Sequence, residues 1–151
     1  MRDAFYKTLG ITFDYYIPKV CTQFLADIFE VSTSLDLTMA LKRKRDIGKK
    51  VHPVYRNFVE KLESSANFIA LDANISAIKL IEKSSMVISM PFTSTAILAR
   101  ELKKPSIFYD PLSMLQKNDP GAHGIPIASN IDELKQWVLS NVAENQFKIN
   151  Y

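Results

Sequence analysis

An α/β fold is what this sequence predicts: an open, doubly wound, mostly parallel sheet with helices on both faces, formed as a single domain. Three observations predict it. Short apolar runs of strand length recur from about residue 36 to the end. Between them lie stretches whose apolar residues fall at spacings of three and four, the period of one helix face. The runs themselves are nearly continuous, as strands buried on both faces are.

The elements follow in order. Pro18 suits the first turn of a helix carrying Val20, Phe24, Leu25 and Ile28. Leu37-Thr38-Met39-Ala40-Leu41-Lys42 alternates more and less apolar residues and reads as the first strand. Tyr55, Phe58, Val59 and Leu62 share a helix face, and Phe68-Ile69-Ala70-Leu71 is the second strand. Ile75, Ile78, Leu80 and Ile81 make the next helix, and Met86-Val87-Ile88-Ser89-Met90 the third strand. Ala96-Ile97-Leu98-Ala99 with Leu102 is helical, and Ser106-Ile107-Phe108-Tyr109 is the fourth strand. After a turn-rich loop, Ile125-Pro126-Ile127-Ala128 is a weaker fifth strand. Ile131, Leu134, Trp137, Val138 and Val142 close the chain as a helix. Sheets of this kind bind ligands at the carboxyl ends of their strands. Attention therefore falls just after residues 42, 71, 90, 110 and 128.

Composition narrows the function. The chain has 151 residues, 47% hydrophobic and 23% charged, enough for one domain to bury a core without staples. A single cysteine, Cys21, excludes an internal disulfide and an all-cysteine metal site. It sits in an apolar helical pattern and reads as packed rather than reactive. No apolar run approaches the roughly 20 residues of a membrane span, and residues 1–7 lack a signal peptide's apolar stretch. A cytoplasmic location, or one peripheral to an inner membrane, is the expectation. The formal charge of +3 is too mild to imply nucleic acid. Only four glycines occur, and no G-x-G-x-x-G or P-loop can be drawn from them. There is no Asp-x-Asp pair and no cluster with metal-ligand spacing, so no metal is expected.

Phosphate would then need another device, and the chain offers one. Pro91-Phe92-Thr93-Ser94-Thr95 follows the third strand and opens a helix with three hydroxyls and no acid before Glu101. One hydroxyl suffices to cap a helix. The remaining hydroxyls, the free N–H groups and the helix dipole suit an anion. The last helix differs: Ser129-Asn130-Ile131-Asp132-Glu133 places two acids in its first turn. Lys42-Arg43-Lys44-Arg45 ends the first strand, where Lys42, Lys44 and Arg45 are candidates for the same phosphate. The plainer reading of that run is a solvated charge patch. Asp110, before Pro111, is either a contact to nucleotide or sugar hydroxyls or a turn residue. His123, in Asp119-Pro120-Gly121-Ala122-His123-Gly124, is a ligand contact or simply a loop residue. His52 and Trp137 read as structural.

The segment Val87-Ile88-Ser89-Met90-Pro91-Phe92-Thr93-Ser94-Thr95-Ala96, continued by Glu101-Leu102-Lys103-Lys104-Pro105-Ser106-Ile107-Phe108-Tyr109-Asp110-Pro111, resembles bacterial polysaccharide-biosynthesis proteins named for a Pro-Phe-Thr-Ser motif. More loosely it is similar to the carboxyl-terminal half of GT-B-fold glycosyltransferases. The resemblance implies a Rossmann-like donor-binding domain over residues 36–151, with residues 1–35 a helical extension packed on it. It implies a nucleotide-sugar as substrate, with no further cofactor, and a glycan acceptor as second partner. Thr93, Ser94 and Thr95 would hold donor phosphate, and the basic run would offset charge on the departing nucleotide. An amino-terminal half, which would bind the acceptor, is expected from a separate domain or from a homo-oligomer. Alone, the chain is expected to bind rather than catalyse. The rival expectation is a non-enzymatic module binding a nucleotide or phosphometabolite.

Overall fold

The computed structural model describes residues 17–42 and 51–149, with side chains described through residue 143. Helix α1 (Pro18–Ser34) opens with Pro18 in its first turn and buries Val20, Phe24, Leu25, Ile28 and Val31 on one face. Asp36 takes a left-handed conformation (φ 54°) just past its end. The Leu37 amide then donates back to the Ser32 carbonyl at 2.8 Å. That closing bond occupies Leu37, so strand β1 begins at Met39 (Met39–Lys42) instead of residue 37.

The chain continues as α2 (Pro53–Glu63), β2 (Phe68–Leu71), α3 (Ala77–Lys83), β3 (Val87–Ser89), α4 (Ser94–Glu101) and β4 (Ser106–Tyr109). A short 3-10 turn (Pro120–Ala122), β5 (Ile127–Ala128) and α5 (Ile131–Ile149) complete it. Strand β5 is shorter than its apolar run. The Ile125 amide bonds to the Ala122 carbonyl at 2.9 Å and belongs to the preceding turn. Pro126 brings no N–H, yet its carbonyl still accepts from Phe108 at 2.9 Å.

All the ladders are parallel, as the alternation of elements predicts, but they form two small sheets. One is β1–β2, in register from Met39 opposite Phe68 to Lys42 opposite Leu71. The other is β3–β4–β5 with β4 in the middle. Every residue of β4 is buried. One core spans both sheets: Phe24 and Ile28 of α1 meet Met39, Phe68, Ile107, Tyr109, Leu134 and Val138. Trp137 packs against its margin; Cys21 is half-buried, and that burial pushes its thiol up from its ordinary pKa. A smaller core gathers Ala96, Phe108, Ala122, Ile125 and Ile127 beneath α4. The expectation of helices on both faces of one sheet is met only in part. On β1–β2, Met39 and Phe68 turn inward, while Ala40 is exposed and Ile69 is 49% exposed on the opposite face.

Helix α5 neutralises its own amino end. Asn130 accepts the Glu133 amide at 2.9 Å, and the Glu133 carboxylate accepts the Ser129 amide at 2.8 Å. Lys117 pairs with the same carboxylate and also donates to the Ile127 carbonyl at 2.9 Å. The hydrogen bond from Lys117, followed by that from Ser129, holds the Glu133 carboxyl below its usual range. A depressed carboxyl stabilises the fold above the unfolded carboxyl pKa and loses that effect as pH falls through the folded value. Glu133→Gln should therefore lower the Tm by about 2–4 °C at neutral pH, the order of one lost cap. The gap should close on acidification below the carboxylate range, as melting curves across pH would show. A gap unchanged by acid would contradict the assignment.

Candidate functional site

The carboxyl end of β3 leads directly into the hydroxyl-rich turn. Pro91 is buried, Phe92 is left-handed (φ 59°), and Thr93 is extended (φ −85°, ψ 145°) at the N-cap of α4. Ala96 and Ala99 are fully buried, and their small side chains let α4 lie close on β3 and β4. The amino tip of α4 is thereby fixed at the strand ends.

The three hydroxyls are not equivalent. Thr93 turns back, its Oγ1 donating to the Met90 carbonyl at 2.9 Å. No side chain caps the first amides of α4, and no acid lies in its first turn. Ser94 and Thr95 are exposed, and among the described residues neither hydroxyl has a partner. The tip therefore presents uncapped amides, two free hydroxyls and an unbalanced dipole, a combination that favours an anion.

Of the other sequence candidates, the structure gathers some and separates others. The loop bearing His123 lies along α4: the Arg100 guanidinium donates to the His123 carbonyl. His123 is exposed and left-handed (φ 51°) at the end of the 3-10 turn. Lys42 ends β1. It belongs to the β1–β2 sheet, and its Nζ donates to the Ala73 carbonyl at 3.0 Å, tying β1 to the loop after β2. Lys44 and Arg45 lie outside the described residues. Asp110 is fully buried. Its carboxylate accepts the amides of Leu112 at 3.0 Å, Met114 at 2.7 Å and Leu115 at 2.8 Å. Of its two readings, this arrangement is that of the turn residue. His52 caps α2, accepting the Val54 amide at 3.3 Å.

Two features escape a reading of the sequence. Phe92, inside the hydroxyl motif, carries a backbone conformation that no local pattern announces. Asp27 and Tyr109 form a buried pair, the phenol donating to the carboxylate at 2.5 Å. Here a signal existed: an acid falls on the apolar face of α1, four residues after Gln23, whose amide also donates to it at 2.5 Å. An open groove of about 550 Å³ lies between α1 and α2, floored by Ala26 and Phe58 and rimmed by Gln23, Asn57 and Lys61. It contains none of the residues at the strand ends. Among the described residues, no three acid, histidine or cysteine side chains stand close enough to hold a metal ion, and no helix is long and apolar enough to cross a membrane.

A family profile described as polysaccharide biosynthesis PFTS motif protein matches residues 1–138. Neither the curated proteins nor the solved structures yield a match to the chain.

Proposed function

The chain belongs to the family of polysaccharide biosynthesis PFTS motif proteins, and from that premise we propose that it binds the phosphates of a nucleotide-sugar at the tip of α4. The protein would serve as the donor-binding part of a metal-independent glycosyltransferase of the GT-B kind. A glycan acceptor, and an acceptor-binding half from another domain or another copy, would complete it. The accompanying fold reading is a doubly wound, Rossmann-like arrangement, supported by the wholly parallel ladders and the shared core. A cytoplasmic site of action fits the lone cysteine.

The observation that carries the reading is the uncapped first turn of α4. Thr93 spends its proton on the Met90 carbonyl, and Ser94 and Thr95 stand exposed beside amides that no side chain caps. In the same fold, α5 is capped and supplied with Asp132 and Glu133. Negative charge that grows on a departing nucleotide would be stabilised by such a tip. Lys44 and Arg45 would add charge to it.

A second reading, a module that holds a phosphorylated metabolite without transferring it, is favoured by the enclosure of Asp110. The acid at the end of the neighbouring strand is taken up by backbone amides and is withdrawn from chemistry.

Nucleoside diphosphates and nucleotide-sugars should raise the Tm of the wild-type chain, since a ligand that binds only the folded state stabilises it by mass action. The double variant Ser94→Ala, Thr95→Ala should melt within about 2 °C of wild type without ligand, both positions being exposed. With ligand its shift should be lost. A shift that survives in the double variant, or no shift with any of these ligands, overturns the reading. Sugar transfer by the chain combined with an acceptor-binding half separates the enzyme from the metabolite-binding module.

A further inference from the structure

We propose that two copies of the chain join through the outer edge of β2, their β2 strands running antiparallel across a two-fold axis. Strand β2 pairs on one side only, with β1. The Met39 amide donates to the Asn67 carbonyl at 2.9 Å, and Met39 lies opposite Phe68. That phase turns the backbone groups of Ile69 and Leu71 toward β1 and those of Phe68, Ala70 and Asp72 away from it. Some of the outward groups are already engaged. The Phe68 amide donates to the Ser65 carbonyl at 3.3 Å, and the Asp72 carbonyl accepts the Ile75 amide at 3.1 Å. Left over are the Phe68 carbonyl, the Ala70 amide and carbonyl, and the Asp72 amide. Among the described residues none of these has a partner.

This remainder is complementary to itself. With Ala70 opposite Ala70 across the axis, each Ala70 amide meets the other copy's Ala70 carbonyl, and each Asp72 amide meets the other copy's Phe68 carbonyl. The bond that a longer ladder would add, from the Phe68 amide to the Asp72 carbonyl, joins the groups already engaged within the chain. A register shifted by two residues would instead set an Ala70 carbonyl against the engaged Phe68 amide. Charge agrees with the pairing. Strand β2, Phe68-Ile69-Ala70-Leu71, carries no ionised side chain, and the two Asp72 carboxylates fall at opposite ends of the paired strands, about 13 Å apart along them. The same register sets Ile69 of each copy against Leu71 of the other on the outer face. Ile69 is 49% exposed in the single chain, and that contact would cover it. Edges left open are ordinarily blunted by a charge, a proline or a bulge; β2 has no charge or proline, and its register with β1 is unbroken. The edge strand β5 does carry such a device, its outward Ile127 carbonyl accepting the Lys117 ammonium at 2.9 Å. A single short strand pair buries less than the roughly 1,200 Å² of a standard interface, so the association should depend on concentration.

Sedimentation equilibrium of the chain, from low micromolar to near-millimolar concentration, reads the association, and amide hydrogen exchange at both ends of that range locates it. Wild type should move from monomer toward dimer. The Ala70 and Asp72 amides should exchange more slowly as concentration rises, while those of Ile69 and Leu71, turned toward β1, should not change. Ile69→Lys places a charge at a half-exposed position and should weaken association about ten- to hundredfold, each copy losing the burial of an isoleucine. Ala70→Pro removes an amide that the β1–β2 ladder does not use, as proline on an edge strand does, and should abolish the dimer. If the proline disturbs the fold, seen as a collapsed melting curve, Ile69→Lys decides alone. A wild type that stays monomeric throughout overturns the proposal; protection of its Ala70 amide by an added extended peptide would then assign the edge to a foreign strand. Association that Ile69→Lys leaves unchanged, or that does not slow the Ala70 amide, also overturns it, since another surface would be responsible.

Discussion

Replacement of Asp110 by alanine should lower stability by about 3–5 kcal/mol, more than a surface substitution could cause. Three backbone amides, of Leu112, Met114 and Leu115, converge on this one carboxylate, and the side chain is fully buried. Hydrogen bonds to a charged acceptor contribute about 1.5–3 kcal/mol each, and a buried donor left unpaired costs about 1–3 kcal/mol. Water entering the vacated space would recover part of this, which sets the lower figure. The loss would propagate, because Leu115 packs against the core formed by Ala96, Phe108 and Ile127. For a chain of this size the Tm should fall by about 6–20 °C. Asp110→Asn retains an acceptor oxygen without the charge and should lie between the two. Urea unfolding of the three proteins measures the order. A folded Asp110→Asn variant should also keep its ligand-induced Tm shift, since an enclosed carboxylate organises the loop instead of touching the ligand. Near-wild-type stability of Asp110→Ala would remove the loop-organising role.

The apolar runs made the strands legible: β4, enclosed on both sides, has little choice of residue, whereas β1 and β2 stay apolar even where Ala40 and Ile69 face outward. Their ends were not legible. Leu37 and Ile125 are as apolar as their neighbours, yet each gives its amide to an adjacent turn. The pattern of the sequence predicts apolar burial and is blind to which backbone groups are already engaged. Asp110-Pro111 carried a turn cue, and the turn is what the structure shows. The hydroxyl cluster could be found from sequence, but not the division of labour within it. Nothing distinguishes Thr93 from Ser94 until the Met90 carbonyl is placed 2.9 Å from one of them. Phe92 lay wholly beyond reading, for no residue pattern around it announces a left-handed backbone. The basic run illustrates a different limit: charge adjacency in sequence says nothing of direction, and Lys42 turns to the Ala73 carbonyl.

Tyr109→Phe should cost about 2–3 kcal/mol at neutral pH, with a pH dependence that identifies its cause. The Tyr109 hydroxyl donates to the Asp27 carboxylate at 2.5 Å, and the Gln23 amide is the other donor to it, also at 2.5 Å. Both partners are buried, Tyr109 at 2% exposure and Asp27 at 9%, and among the described residues no cation pairs with Asp27. Removing the phenolic proton donor leaves a buried carboxylate with one donor where it had two, and that desolvation is the main cost. Asp27→Asn in the Tyr109→Phe background should recover part of the loss, because a neutral amide is cheaper to bury than a charge. Burial first, then the bond to Asp27, then the charges of Asp27 and Asp110, push the Tyr109 phenol well above its ordinary pKa. A phenol raised in the folded state adds stability that is complete below the unfolded value of about 10 and declines as pH rises beyond it. Wild type should therefore lose stability through this group at alkaline pH, while Tyr109→Phe has no such group to lose. The other tyrosines are common to both proteins and cancel. Urea midpoints measured from neutral pH to about pH 11 should show the gap narrowing above about pH 10. A gap that stays constant across that range would separate the cost from the ionisation of the phenol; no gap at any pH would mean that Tyr109 contributes only the volume of its ring, and α1 would then be joined to the sheet by apolar packing alone.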